Sequence, residues 1–186
     1  MTLHRCRSLL SLSLLSIFLF SCVMAQKGDE SAIKEFQDRI NNYLSAKKKQ
    51  DVSRKPTDSP DKLAQQKQQT AEKTKAARPE AHQGDIFTPG VSAYFRKQIE
   101  STLQGPEGSR VRASLRHAEP LPDVHLQVNA KYPKNLPLQS TPPTLLKNLP
   151  PLPKELQYRI VGSTLVLYDM ASGLVVDFIP GAVPAA

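Results

Sequence analysis

The chain has 186 residues and a formal net charge of +8. Its two cysteines, Cys6 and Cys22, lie in or beside an apolar N-terminal segment. The rest of the chain therefore cannot form an intramolecular disulfide. Arg5 and Arg7 are two of the 25 basic residues, so the rest carries 23 basic against 17 acidic residues, an excess of +6 spread along the sequence. That excess favours weak attraction to anionic envelope polymers or lipids, and the lack of an aromatic-basic motif argues against nucleic acid as a partner.

Residues 1–25 have the three parts of a secretory signal peptide. Arg5 and Arg7 form a positive n-region, an apolar h-region covers residues 9–20, and small residues follow it. The apolar run of about a dozen residues is shorter than the roughly 20 that a helix needs to cross a bilayer. We therefore predict a cleaved leader and no permanent membrane span.

Two processing sites compete after the h-region. Val23-Met24-Ala25 fits the small-x-small pattern of ordinary signal-peptidase cleavage, which is the favoured alternative and would leave a free protein. Leu19-Phe20-Ser21-Cys22 resembles a bacterial lipobox, which would lipidate Cys22 and anchor the protein, since each buried methylene contributes about 0.8 kcal/mol. Both alternatives predict an exported protein, periplasmic or extracellular, and the second adds a membrane anchor at Cys22.

Residues 26–104 are predicted to be helical. Apolar side chains recur at three- and four-residue spacings from Asp29 to Gln50, which is typical of an amphipathic helix. Asp29 and Glu30 lie at the start of this stretch and the triplet Lys47-Lys48-Lys49 lies at its end, as suits the helix dipole. We interpret the lysine triplet as a solvated helix face, with contact to anionic lipid or peptidoglycan as the alternative.

Two more helices are predicted in this region. Ser59-Pro60 is a start signal for a helix over residues 61–77, whose only large apolar residue is Leu63, so we expect it to be mostly solvated. Thr88-Pro89 begins a third helix that reaches about Gln104. Its apolar stripe is expected to pack on the first helix and consists of Val91, Phe95, Ile99 and Leu103.

Residues 105–155 are predicted to form an irregular, proline-rich belt. Gly105, Pro106 and Gly108 end the helical half, and the later prolines exclude a long helix or a central strand. One short helical turn is expected over residues 143–148, anchored by Leu145 and Leu146.

Residues 156–186 are predicted to form a three-stranded antiparallel meander and a tail. The strands are rich in β-branched and aromatic residues and are separated by turn residues; they cover residues 156–161, 164–168 and 174–179. Leu156, Tyr158 and Ile160 share one face. Because three strands need a partner to stay folded, the first or third helix is expected to cover the sheet. The fold class is α+β, with residues 26–186 forming one domain.

Three motifs resemble an uncharacterised family of exported proteins from acidobacteria and related soil bacteria. They are Lys34-Glu35-Phe36 through Tyr43, Gln83-Gly84-Asp85-Ile86-Phe87-Thr88-Pro89, and Leu149-Pro150-Pro151-Leu152-Pro153-Lys154-Glu155-Leu156-Gln157-Tyr158-Arg159 with Val175-Val176-Asp177. The resemblance implies export and a shared fold. The family has no assigned activity that could be transferred to a residue.

The C-terminal hairpin carries a second, shorter resemblance. Tyr158-Arg159-Ile160-Val161-Gly162, Leu165-Val166-Leu167 and Ala171-Ser172-Gly173-Leu174-Val175-Val176-Asp177 are similar to the closing hairpin of a periplasmic nickel and cobalt homeostasis family. This resemblance implies a periplasmic metal-binding accessory protein as an alternative function.

Residues with metal-binding side chains cluster at one place in the sequence. His117, Glu119, Asp123 and His125 lie close together, whereas a zinc site needs three or four ligands in defined geometry. Because the segment is interrupted by proline, we interpret these residues as surface polar groups and predict no metal site.

No catalytic motif stands out. Ser163 and Ser172 fall beside glycines where hairpin turns are expected, and no Gly-x-Ser-x-Gly pentapeptide surrounds either. Asp169 and Asp177 are candidates for acid–base work, but turn formation and strand-end solubility explain them as well. We therefore expect no cofactor and no enzyme, but an exported protein with a binding or structural role in the bacterial cell envelope. The expected partners are envelope polymers, a lipid surface or another envelope protein. A hydrolase whose site assembles only in three dimensions is the remaining alternative.

Overall fold

The computed structural model describes residues 11–50, 57–116, 125–133 and 141–183, and within the first helix it describes side chains for residues 27–49. Helices precede strands along these residues, in the order α1 (Ser11–Gln50), α2 (Pro60–Ala76), α3 (Pro89–Gln104), α4 (Gly108–Arg116), α5 (Pro143–Lys147), β1 (Leu156–Val161), β2 (Thr164–Asp169) and β3 (Leu174–Ile179). The predicted α+β class with a C-terminal antiparallel meander is confirmed.

Helix α1 is longer than predicted. It begins at Ser11 instead of Asp29, because the leader residues from position 11 onward contain no proline that would interrupt the hydrogen-bond ladder. The face that packs on the rest of the protein nevertheless begins within the predicted amphipathic stretch. Its buried residues recur every three or four positions and are Ala32, Phe36, Ile40, Tyr43 and Lys47. Over the described side chains, no helix combines the length and apolar character needed to cross a bilayer.

Helices α2 and α3 match their predictions closely. Ser59 precedes Pro60 in extended conformation, although its side chain makes no capping hydrogen bond. Leu63 of α2 is 50% exposed, as expected for a mostly solvated helix. At the start of α3 the Thr88 hydroxyl accepts a hydrogen bond from the Val91 N–H at 3.4 Å. The whole predicted apolar stripe of α3 is buried.

The prediction that the helical half ends at Gln104 is wrong. Gly105 and Pro106 stop α3, but a further helix, α4, begins at Gly108 and packs against α3 through buried Val111 and partly buried Leu115. A Cβ on Gly108 would lie 1.8 Å from the Leu103 carbonyl oxygen, so the tight turn between the helices requires glycine there.

Helix α5 covers nearly the same residues as the predicted helical turn. Only one of the two leucines predicted to anchor it is buried. Leu145 is fully buried, as expected, whereas Leu146 is 42% exposed. Leu146 therefore faces outward and does not anchor the helix.

The three strands form one antiparallel sheet in the order β1-β2-β3. The two-residue turn Gly162-Ser163 pairs Val161 with Thr164, and Gly162 has the positive φ of 57° that such a turn requires. Leu156, Tyr158 and Ile160 face the helices, as predicted. The Phe36 and Phe95 rings of α1 and α3 lie with their centroids 6.5 Å and 5.8 Å from that of Tyr158, so both helices cover the sheet.

Candidate functional site

A groove of about 460 Å³ lies where the proline-rich belt meets strand β1. Its walls are mainly apolar and are formed by Thr141, Leu146, Pro150, Pro151, Leu152 and residues 156–159. The sequence analysis predicted the prolines and the strand separately, but it did not predict that they lie side by side. The exposed Leu146 is on the rim of this groove, which explains why a large apolar side chain is left outside the core.

Hydrogen bonds hold the wall of the groove against the sheet. The Tyr158 hydroxyl donates to the Pro150 carbonyl at 2.9 Å, and the Thr141 hydroxyl donates to the Tyr158 carbonyl at 3.0 Å. Asn148, at the end of α5, donates to the Thr102 hydroxyl of α3 at 2.8 Å. Because these bonds are made within the protein, the groove is preformed.

Strand β1 is an edge strand, and part of its backbone faces the groove side. In the β1–β2 register, residues 157, 159 and 161 are the hydrogen-bonded positions, as set by the two-residue turn. Tyr158 and Ile160 therefore point their N–H and C=O groups away from β2. The Tyr158 carbonyl accepts from the Thr141 hydroxyl, and Ile160 is only 3% exposed and does not line the groove.

The opposite edge of the sheet is covered by the chain itself. The segment before Pro133 forms an isolated bridge between Lys131 and Leu174 of β3. Three backbone hydrogen bonds support it, from Asn129 to Val175, from Val175 to Ala130, and from Tyr132 to the Gly173 carbonyl. The chain itself thus pairs with the start of β3 on its outer side.

Asp169 lies at the centre of a buried polar network between α1 and the sheet. Its carboxylate accepts hydrogen bonds from the Tyr43 hydroxyl and the Lys47 ammonium, both at 2.6 Å. Its other oxygen accepts from the backbone N–H of Ala171 at 2.8 Å and of Ser172 at 3.3 Å. The predicted turn role of Asp169 is confirmed, but the predicted strand-end solubility is wrong because the side chain is fully buried.

Burial and hydrogen bonding act in opposite directions on the pKa of Asp169. Burial by itself would raise it, but hydrogen bonds from Lys47 and Tyr43 and the positive charge of Lys47 outweigh burial, so the pKa lies below its ordinary value. Burial and the neighbouring Asp169 charge raise the pKa of Tyr43, which stays a neutral donor. The network is therefore a fixed ion pair with a neutral phenol beside it.

The interpretation of the lysine triplet as a solvated helix face is wrong for Lys47. Lys48 and Lys49 are exposed, as expected of a solvated face. Lys47 is only 7% exposed and forms the ion pair with Asp169. Its spacing from Tyr43 and Ile40 on the buried face of α1 was the signal in the sequence that could have revealed this.

Asp177 ties β3 to the loop before α3. One carboxylate oxygen accepts from the N–H groups of Ile86 and Phe87 at 2.8 Å and 2.7 Å, and the other accepts from Gly84 at 3.0 Å and Phe178 at 2.8 Å. Asp177 is fully buried, so strand-end solubility is again the wrong interpretation. The loop with the Gln83-Gly84-Asp85 motif is built around this carboxylate.

The remaining candidate residues do not assemble into a catalytic or metal site in the described residues. His125 is exposed, and His117, Glu119 and Asp123 lie outside the described residues. Within the described residues, no three potential metal-ligating side chains lie together. Ser163 lies in the β1–β2 turn, and buried Ser172 lies in the β2–β3 turn, where its hydroxyl accepts from the Leu174 N–H at 3.3 Å.

Comparison with protein-family models, with characterised proteins and with solved structures finds no match to this chain. The two resemblances drawn from sequence motifs therefore stay predictions, and functional inference depends on the geometry described above.

Proposed function

We propose that this protein is exported to the bacterial cell envelope and acts there without catalysis, by binding another envelope component in the groove beside β1. The observation that carries the proposal is the groove itself, a preformed concave surface of about 460 Å³ with apolar walls. Ligand sites are typically concave and mostly apolar, with a few polar groups that fix orientation. Here those polar groups are Thr141, Gln157 and Arg159.

The buried carboxylates support a non-enzymatic role. Asp169 and Asp177 were the best acid–base candidates, and each is committed to donors within the fold. Lys47, Tyr43 and Ser172 lie around Asp169 in a constellation of catalytic residue types, yet all three are buried. None of them lines the groove. Their role is to fasten α1 to the sheet.

Export is tested by the mass and location of the processed protein. We expect the purified protein to lack either residues 1–25 or residues 1–21, with a diacyl mass on Cys22 in the second case. Ordinary cleavage places the protein in the periplasm or the medium, and lipidation places it in the membrane fraction. Recovery of the intact 186-residue chain from the cytoplasm would contradict the proposal.

Binding at the groove is tested in cells with a photoreactive side chain. Leu146 on the groove rim and Leu63 on α2 are both exposed leucines, at 42% and 50%, so they form a matched pair. We expect a photoreactive residue at position 146 to form a discrete adduct that Leu152→Glu abolishes, and one at position 63 to form none. Equal labelling from both positions would contradict a binding role for the groove.

A further inference from the structure

The groove beside β1 combines apolar walls with a single charge. Among the described residues that line it, five are leucine or proline, and only Arg159 is charged. An arginine side chain stays protonated in proteins, so this charge is a permanent cation. By charge complementarity, these walls fit a ligand that is mainly apolar and has one negative group.

Contacts within the fold restrict the Arg159 guanidinium. One of its terminal nitrogens donates to the Gln157 side-chain oxygen at 2.6 Å, and its central carbon lies 5.6 Å from the centre of the Tyr168 ring. Because the planar group is already restricted, it loses less side-chain entropy when it binds an anion. Carboxylates are anions whose two oxygens match the geometry of a guanidinium.

We propose that the groove binds a free fatty acid, with its carboxylate at Arg159 and its alkyl chain against Leu146, Pro151 and Leu152. This inference rests on the proposed binding function and names the chemical class of the ligand. The fold leaves Leu146 42% exposed at the rim of the groove. An alkyl chain in the groove would remove this apolar side chain from water, which is favourable.

The size of the groove favours a small molecule over a protein. Its volume of about 460 Å³ lies within the roughly 300–1,000 Å³ that is typical of small-ligand sites. Nine described residues line it, whereas a stable protein interface involves about 20–30 residues on each side. The groove alone is therefore too small to hold a protein partner.

The lining of the groove also disfavours other envelope ligands. Sugar hydroxyls buried against proline and leucine side chains would lose hydrogen bonds to water without replacement. An anionic membrane surface attracts clusters of cations, and Arg159 is alone in the described lining. A cationic amphiphile would be repelled by Arg159, since the described lining includes no acidic residue.

Three probes of equal chain length test the preference for a negative group. The processed protein is titrated with decanoate, decanol or decyltrimethylammonium at pH 7, and two-dimensional NMR gives both the affinity and the residues that respond. We expect decanoate to bind about tenfold or more tightly than decanol, because hydrogen bonds to charged groups add to burial of the same chain. The cationic probe should bind most weakly. Equal binding of all three, or no binding of decanoate, would overturn the proposal.

Substitution of Arg159 tests where the carboxylate lies. Arg159→Gln should weaken decanoate about tenfold or more and leave decanol within about twofold, so decanol binding also shows that the groove is intact. Arg159→Lys keeps the cation and should keep the preference for decanoate over decanol. Arg110→Gln is the matched control, because it removes the same charge from an 82% exposed side chain on α4. Equal effects of Arg159→Gln and Arg110→Gln, or equal loss of both ligands in both Arg159 variants, would overturn the assignment.

The mass of the adduct formed in cells from position 146 separates this inference from the proposed binding function. An added mass equal to that of a fatty acid supports the inference. An adduct with a phospholipid, another protein or a second copy of this chain would overturn a free fatty acid as the occupant, while the binding role of the groove stands.

Discussion

Replacing one member of the buried Lys47–Asp169 pair should destabilise the protein by an amount that depends on which member is changed. Asp169→Asn leaves the Lys47 ammonium, 7% exposed, without its counter-charge. Breaking a buried pair in this way costs about 3–5 kcal/mol of the free energy of unfolding. Lys47→Met leaves a carboxylate that still accepts from the Tyr43 hydroxyl and two backbone N–H groups. We expect about 1–3 kcal/mol for that change.

The double variant measures the coupling between the two side chains. Because it removes both charges together, its loss should be smaller than the sum of the single losses by about 1–3 kcal/mol. Each loss is obtained from urea unfolding followed by circular dichroism. For a domain of this size the free energy of unfolding is about 5–15 kcal/mol, so each of these losses is a large fraction of the total and is readily measured.

The exposed Asp29–Lys97 pair is the matched control. Its N–O distance is 2.7 Å, against 2.6 Å for Lys47–Asp169, but its side chains are 34% and 56% exposed. Asp29→Asn and Lys97→Met should therefore show a coupling below about 1 kcal/mol. Equal coupling in the two pairs, or single losses at Lys47 and Asp169 that simply add, would refute the role assigned to the buried network.

Three further predictions follow from the same contacts. Because the pKa of Asp169 is lowered in the folded protein, its contribution to stability is present above the unfolded-state pKa near 4 and is lost as pH falls through the folded-state pKa. Asp169→Asn should therefore flatten the acid side of a plot of unfolding free energy against pH. An unchanged slope would contradict the lowered pKa. Asp177→Ala leaves four N–H groups without their acceptor. We expect the free energy of unfolding in urea to fall by at least about 3 kcal/mol and amide exchange to become faster at Gly84, Ile86 and Phe87. A fall below about 1 kcal/mol would contradict the assigned contacts. Excess nickel, cobalt or zinc should leave Tm unchanged, whereas a Tm that rises with metal concentration would favour the metal-binding alternative.

Local patterns in the sequence were sufficient for most of the elements. The stripes of α1 and α3 repeat every three or four residues, and the strands alternate between glycine-containing turns, so each element is specified by its own residues. Helix α4 was missed because Gly105, Pro106 and Gly108 are ordinarily helix-breaking residues. Val111 and Leu115, four residues apart, were the weak signal that a helix follows them.

The candidate site depends on contacts between distant residues, and for that reason the sequence did not reveal it. Asp169 is buried only because Lys47 and Tyr43, 122 and 126 residues earlier, supply donors to it. The groove likewise exists because Thr141 and Pro150 hydrogen-bond to Tyr158 and hold the belt beside β1. Composition predicted an irregular proline-rich region, but only the tertiary fold places that region beside β1.

Photocrosslinking in cells tests most directly whether the groove binds another envelope component. A photoreactive residue at position 146, on the groove rim, should form a discrete adduct, and the same residue at position 63 on α2, where the native leucine is also exposed, should form none. Equal labelling from both positions would contradict the binding surface proposed for this protein.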